Sequence, residues 1–283
     1  MKVAFLGTPA YCVPSLEALV KSRYKVVCVV TQPDKPSGRG RGFAVSPAKK
    51  FAFEHNIPVF QPRRISREID EIFSAVDKPD IIVTCAFGQI LRQNVIDFCK
   101  YGVVNVHASL LPKYRGACPI NFAIINGETK TGITIMQTDV GIDTGDILYQ
   151  TECDICESET AGELTIRLAA LGAEALIKTL EQIEKGTVKR TPQNHDEASY
   201  YPMLKKDDGK IDFSKPAKDI VNFIRGMNPW PMAHAMSNYG EIRVYGAHLD
   251  RGELKFDVIQ APGGRAMQYR DFLNGHKDFK FDD

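Results

Sequence analysis

The 283-residue chain has almost no surplus of charge, no long apolar run and no more than one closely spaced cysteine pair, and each shortage excludes something. Lys and Arg number 36 against 35 Asp and Glu, a formal net charge of +1. A polyanion binder that is basic throughout is excluded, so any contact with nucleic acid has to come from a local patch. No stretch approaches the ~18 consecutive apolar residues of a membrane span. The opening MKVAFLG lacks the apolar core and small-residue cleavage site of a secretory leader. Cysteine is odd in number, at Cys12, Cys28, Cys85, Cys99, Cys118, Cys153 and Cys156. Most of these lie in apolar runs, as reduced buried thiols do. Cys153 and Cys156 form a lone C-x-x-C, and no second such pair or H-x-H pair completes the roughly four ligands of a zinc site. A metal-free protein of a reducing cytoplasm is expected. What is present is ordinary globular composition, 43% hydrophobic and 25% charged. The length suits two domains of about 150 residues each.

The first half alternates Val- and Ile-rich runs with helical patterns. The runs are Val3–Phe5, Val26–Val30, Ile81–Cys85, Val103–Val106 and Ile133–Met136; the helical stretches are Pro14–Lys21, Pro47–Glu54 and Arg67–Val76. That alternation predicts βαβ units and a parallel sheet covered on both faces. Ser46-Pro47 reads as an N-cap with Pro in the first helical position. Thr160-x-x-Glu163 reads as a capping box ahead of a long helix with Leu164, Leu168, Leu171, Leu176, Leu180 and Ile183 on its apolar face, stopped by Gly186. After about Thr187 the texture turns polar and loop-like. A short helix at Ala217–Arg225, a rigid Asn228-Pro229-Trp230-Pro231 turn and the alternating runs Ile242–Tyr245 and Glu253–Ile259 follow. The expected domains are 1–186, a linker at 187–207, and a small β-rich domain at 208–283.

Three stretches carry candidate chemistry. In Val104-Asn105-Val106-His107-Ala108-Ser109-Leu110-Leu111-Pro112, Asn105 interrupts an apolar strand, and His107 leaves the strand on the same face because side chains alternate. At the C-terminal end of a parallel strand, an amide and an imidazole placed together donate to one oxygen, as oxyanion stabilisers do. The competing reading is a turn-forming Asn and an ordinary half-buried His. In Asp139-Val140-Gly141-Ile142-Asp143-Thr144-Gly145-Asp146, any of the three aspartates could partner His107, or all could be turn residues. Ser109 beside His107 lacks the G-x-S-x-G elbow of a serine hydrolase. The third stretch, Pro33–Lys50, has Gly38, Gly40 and Gly42, but not the tight strand-to-helix spacing of a dinucleotide turn. It reads instead as a long loop carrying Lys35, Arg39 and Arg41. Residues 31–64 hold seven basic and two acidic residues, +5, so the rest of the chain carries −4. Charge gathered in a loop in this way points to a phosphate-bearing partner.

Phe5-Leu6-Gly7-Thr8-Pro9, Thr31-Gln32-Pro33-Asp34 with Gly38-Arg39-Gly40, Asn105-Val106-His107-x-Ser109-Leu110-Leu111-Pro112 with Arg115-Gly116, and Gly141-Ile142-Asp143-Thr144-Gly145-Asp146 together resemble the folate-dependent formyltransferases. The basic loop and Arg225-Gly226-Met227-Asn228-Pro229-Trp230-Pro231 narrow the resemblance to the branch acting on methionine esterified to initiator tRNA, for translation initiation. The resemblance implies a Rossmann-like α/β domain with a mainly parallel sheet and a small C-terminal β-barrel of OB-like type. It implies formyl transfer from 10-formyltetrahydrofolate as co-substrate, without metal, by a cytoplasmic monomer. Carried over residue by residue, it makes Asn105, His107 and Asp143 catalytic. Ser109, Leu110, Leu111 and Pro112, with Phe87, Gly88, Gln89, Ile90 and Leu91, match the folate-binding segments. Arg39 matches the loop arginine that meets the tRNA acceptor end, with Lys35 and Arg41 beside it.

The second domain departs from the family pattern. From Val244–Ala247 the chain passes quickly to Gly252–Ile259, where family members usually carry an extra pair of strands, so a shortened barrel is expected. Residues 205–283 hold 13 basic against 12 acidic side chains. The tRNA is therefore expected to lean on the basic loop and on Lys205, Lys206 and Lys210. Two alternatives share the same three site residues. One is a formyltransferase acting on a nucleotide-linked amino sugar; the other is a 10-formyltetrahydrofolate hydrolase.

Overall fold

The structure is a computed structural model, and it describes residues 1–36 and 43–282. The chain forms two compact units, each gathered from separate stretches. The first is Met1–Arg115, Gly132–Glu152 and Ile166–Ser199; the second is Gly116–Thr131, Cys153–Thr165 and Tyr200–Asp283.

The first unit is built on a seven-stranded sheet. Its strands are β1 (Lys2–Gly7), β2 (Lys25–Val30), β3 (Val59–Phe60), β4 (Ile81–Cys85), β5 (Val103–His107), β6 (Lys130–Gln137) and β7 (Ile147–Asp154), in the spatial order β7-β6-β5-β4-β1-β2-β3. From β5 to β3 every pairing is parallel, and β6 runs antiparallel to β5. All five residues of β4 are buried, which is why the strand reads as an apolar run broken only by Thr84. Two strands escape the sequence pattern for physical reasons. β3 is two residues long, and β7 alternates half-buried or buried with exposed positions at the sheet's edge. The strand order reverses direction at β1, which has β2 on one side and β4 on the other. Such a switch point opens a crevice at the carboxyl ends of the strands, here at Gly7, Cys85 and His107.

The helices used below are α1 (Val13–Lys21), α2 (Pro47–Glu54), α3 (Ile65–Ser74), α4 (Pro119–Ile125), α5 (Ala161–Lys185), α6 (Ala217–Met227) and α7 (Tyr269–Gly275). Their ends follow the expected chemistry. Ser46 Oγ accepts from Lys49 N at 3.3 Å at the start of α2. At α5, Thr160 Oγ1 accepts from Glu163 N at 3.3 Å while the Glu163 carboxylate accepts from Thr160 N at 2.9 Å, closing the capping box. The helix stops where Gly186 turns left-handed, φ 67°, and Thr187 N donates back to Gln182 O at 2.9 Å.

The second unit holds a four-stranded antiparallel sheet of β8 (Ala233–Ser237), β9 (Gly240–Asp250), β10 (Glu253–Gln260) and β11 (Met267–Gln268), in that order. β9 passes into β10 through Arg251 and Gly252 alone, both at positive φ (51° and 87°). A two-residue turn of that kind matches the twist of the strands it joins. The expected small, shortened β-rich domain takes this form. Its core packs Leu204, Ile220, Ile224, Met227, Val244, Ile259 and Phe272 between sheet and helices. α6 also packs on α4: a side chain at Gly226 would meet Ile125 Cγ1 and Asn121 O, so only glycine lets the two helices close.

Candidate active site

Asn105 and His107 sit at the carboxyl end of β5, two residues apart and on one face. β4 holds the first of them. Thr84 lies opposite Asn105 in the parallel ladder, and its Oγ1 donates to Asn105 Oδ1 at 2.9 Å. The carbonyl end of the amide is occupied by Thr84, which leaves Nδ2 as the end with protons to donate. Thr84 was not among the expected site residues. Its signal was a single hydroxyl inside the otherwise apolar Ile81–Cys85.

His107 is buried and reaches in two directions. Nε2 lies 2.9 Å from Tyr114 O, so Nε2–H donates to that carbonyl and Nδ1 is left facing Asp143. Nδ1 and Asp143 Oδ2 are 3.7 Å apart, within ion-pair distance and beyond a hydrogen bond. The three aspartates of the 139–146 loop are thereby distinguished. Asp139 Oδ1 accepts from Gly141 N at 3.0 Å and Thr144 Oγ1 at 2.6 Å, holding the loop's own turn. Asp146 uses its backbone carbonyl to receive Gln137 N. Asp143 is the one brought to the imidazole, with its backbone left-handed at φ 53°, a conformation Asp tolerates better than most residues.

A buried clamp holds this loop. Gln193 Nε2 donates to both Asp143 O (2.9 Å) and Gly145 O (2.7 Å). Gln193 Oε1 in turn receives Arg115 Nε at 3.0 Å and Nη2 at 2.7 Å, and the Arg115 side chain is fully buried. Gln193 lies in a polar stretch with no periodicity, so nothing local in the sequence marks it.

The expected folate-binding residues divide by what they spend. Ser109 Oγ donates to Lys113 O at 2.7 Å, and Ser109 O accepts from Thr134 Oγ1. Leu111 is pinned by N to Thr134 Oγ1 and by O to Gln150 Nε2. Together with half-buried Leu110 and Pro112, these bonds shape the loop that delivers Tyr114 O to His107. After β4 the backbone turns at Ala86 and Gly88, both at positive φ. Phe87 is buried, and its carbonyl accepts from Gln32 Nε2 at 3.1 Å and Thr8 Oγ1 at 3.3 Å. Gln89 bonds Ile65 N and Pro62 O, and Leu91 is in the core. Gly88 and Ile90 are exposed, Ile90 at 81%. Exposed backbone beside an exposed apolar side chain suits a flat heterocycle such as a pterin, which takes hydrogen bonds at its edge and apolar contact on its face.

Of the expected tRNA-facing residues, Arg39 and Arg41 lie outside the described residues, and Lys35 is placed by its backbone, paired with Ala44. Both stems of that basic loop are fastened. Lys49 Nζ ion-pairs with Asp34, and Gln61 bonds Lys49, Asp34 and Gln32 O. The Lys49 ammonium and the Gln61 amide hold the Asp34 carboxyl below its usual pKa. Lys205, Lys206 and Lys210 are exposed on the second unit. Among the described residues no three His, Cys, Asp or Glu side chains converge as metal ligands, and no helix is long and apolar enough to cross a membrane.

Residues 1–180 match the family described as formyl transferase, and residues 203–257 match its C-terminal domain. The chain is 49% identical over 302 residues to a methionyl-tRNA formyltransferase of Alkaliphilus oremlandii, an alignment covering 98% of this chain and 97% of that one. It is 52% identical over 247 residues to the enzyme of the same name from Acetivibrio thermocellus, covering 87% and 79%. Since 302 aligned positions exceed the 283 residues here, at least 19 positions face gaps in this chain, in keeping with a shortened protein. Among solved structures, an N-formyltransferase from Helicobacter canadensis bound to folinic acid and dTDP-3-aminofucose superposes with a TM-score of 0.70 at 23% identity, covering 95% and 98% of the two chains. A methionyl-tRNA formyltransferase from Clostridium thermocellum superposes with a TM-score of 0.61 at 16% identity, covering 95% and 99%. At those identities the structural likeness is one of fold.

Proposed function

The chain belongs to the formyl transferase family, and from that premise we propose that it moves a formyl group from 10-formyltetrahydrofolate to the α-amino group of methionine esterified to initiator tRNA. The observation that carries this reading is the meeting of Asn105, His107 and Asp143 at the end of β5, in a chain about half identical to enzymes of that name. When bound, 10-formyltetrahydrofolate supplies the formyl carbon, and Gly88 and Ile90 are the groups offered to its pterin.

The chain's own residues have two tasks. An α-amino group has a pKa near ~7.7, lower still when the carboxyl is esterified, so much of the acceptor is neutral and nucleophilic at neutral pH. No strong base is required. The harder task is the negative oxygen that develops as the amine attacks. Asn105 Nδ2, aimed by Thr84, and the Nδ1–H of a protonated His107 are the two donors for it. Asp143 complements the imidazolium's charge without consuming Nδ1 in a short bond, and on this reading it takes the proton that leaves the amine, directly or through one water, and returns it to N10 as the carbon–N10 bond breaks and tetrahydrofolate departs. On this reading Lys35, Arg39 and Arg41 of the basic loop, and Lys205, Lys206 and Lys210, meet the tRNA backbone, in the cytoplasm where initiation takes place.

The test is incubation with 10-formyltetrahydrofolate and methionyl initiator tRNA, scoring formylmethionine recovered from the tRNA. Elongator methionyl-tRNA and free methionine are the controls. Formylation of the initiator alone is expected. Absence of transfer with folate still bound would overturn the reading in favour of an amino-sugar acceptor, or of water, which free formate would reveal.

A further inference from the structure

A concave site lies in the second unit, and of its lining only Lys206 is among the expected tRNA-facing residues. A cavity of about 290 Å³ is lined by Lys206, Trp230, Met232, Arg243 and Tyr245, with Pro229 and Pro231 beside the indole. Its size is at the small end of ligand pockets. Two cations and two aromatic rings line it, and among the described lining residues there is no carboxylate. Lys206, Trp230 and Arg243 are all exposed, Trp230 at 52%.

An indole left this far in water, in a cavity that two cations also line, is a poor way to build a core and a good way to receive a flat anionic ligand. The platform is also rigid. Asn228 Nδ2 donates to Tyr245 O at 2.7 Å, tying the turn to β9. Met232 N returns to Met227 O at 2.9 Å, and Tyr245 Oη is fixed on Gln260. The two prolines fix φ on either side of Trp230. Met232 is held at φ 78°, a left-handed value that a long side chain seldom adopts. Little backbone freedom remains to be lost in the turn that carries Trp230 when a ligand arrives.

We propose that this cavity binds an unpaired nucleotide of the tRNA, with its base stacked on Trp230 and the adjoining phosphates on Lys206 and Arg243. The inference rests on the formylation reading for the identity of the nucleic acid. The site itself is argued from the residues that line it. Aromatic stacking with cationic backbone contacts is the general means of holding single-stranded nucleic acid. It also offers a second hold on tRNA in a stretch, residues 205–283, that holds 13 basic against 12 acidic side chains.

Trp230 is the chain's only tryptophan, so tryptophan emission, excited selectively over the ten tyrosines, reports on this cavity. Titration of the wild-type protein with a single-stranded oligoadenylate is expected to quench that emission, and inorganic polyphosphate of matched charge is expected to leave it unchanged. Trp230→Ala is expected to raise KM for methionyl-tRNA about tenfold at unchanged kcat, with Trp230→Phe close to wild type. Arg243→Gln is expected to lower the slope of log affinity against log salt by about 0.7. Normal formylation by Trp230→Ala, with emission unmoved by saturating tRNA, would overturn the site and leave the formylation reading intact. Quenching by oligoadenylate in a protein that formylates no tRNA would support a nucleotide site and overturn that reading instead.

Discussion

Asn105 carries a side chain that can offer either of two ends to the crevice, and the Thr84 hydroxyl decides which. Replacing that hydroxyl by a methyl keeps the volume and leaves Asn105 Oδ1 without its donor, a loss of roughly 1–3 kcal/mol where the group is buried. Thr84→Val is therefore expected to lower kcat about tenfold at an unchanged KM for folate, with Thr84→Ser restoring it. Steady-state kinetics alongside a thermal melt check this, and a kcat equal to wild type would show that the amide is held by something else. Much at this scale was legible. An amide and an imidazole at i and i+2 in an apolar strand are conspicuous, and the structure puts both where the strand pattern implied. The choice among Asp139, Asp143 and Asp146 was not legible from spacing, because it depends on which of them closes the loop's own turn.

At the scale of elements, the loop carrying Asp143 is held from both ends. Gln193 donates from one amide nitrogen to two of its carbonyls, and Gly145 lies so close to β6 that a side chain there would overlap the Gln137 carbonyl oxygen. Gly145→Ala has to push the loop off the strand. It is expected to cost a hundredfold or so in kcat, comparable to losing one stabilising donor. Circular dichroism of the folded protein is expected to stay unchanged. A variant with ordinary turnover would mean that the loop's position does not set that of Asp143. The strands and helices themselves were largely readable, because β1, β2, β4 and β5 are buried apolar runs and α2 and α5 begin with chemically explicit caps. Gln193 and Arg115 were not readable as a clamp, since hydrogen bonds between residues far apart in sequence leave no periodicity behind.

For the molecule as a whole, the two compact units each draw on three separate stretches. A seven-residue helix such as α4 gives no local sign that it packs on α6. Burial also sets how the fold responds to alkali. It pushes the thiols of Cys12, Cys28 and Cys99 up to about 12 from the ordinary 9.0, and that of Cys85 higher as well. The folded state keeps protons that the unfolded chain gives up, so stability present below pH 9 is lost as pH rises from about 9 toward 12. The urea midpoint is expected to fall between about pH 8 and pH 10, and these four cysteines are expected to resist iodoacetamide at pH 8 until the protein is unfolded. Rapid labelling of all four in the native state would contradict the packing described. The central claim, that Asn105, His107 and Asp143 act together on the developing oxygen and the departing proton, is tested most directly by single-turnover formyl transfer to methionyl initiator tRNA with Asp143→Asn. The expected result is a loss of about 10²–10³ in the transfer step with folate affinity and folding retained. Transfer at close to the wild-type rate would contradict it.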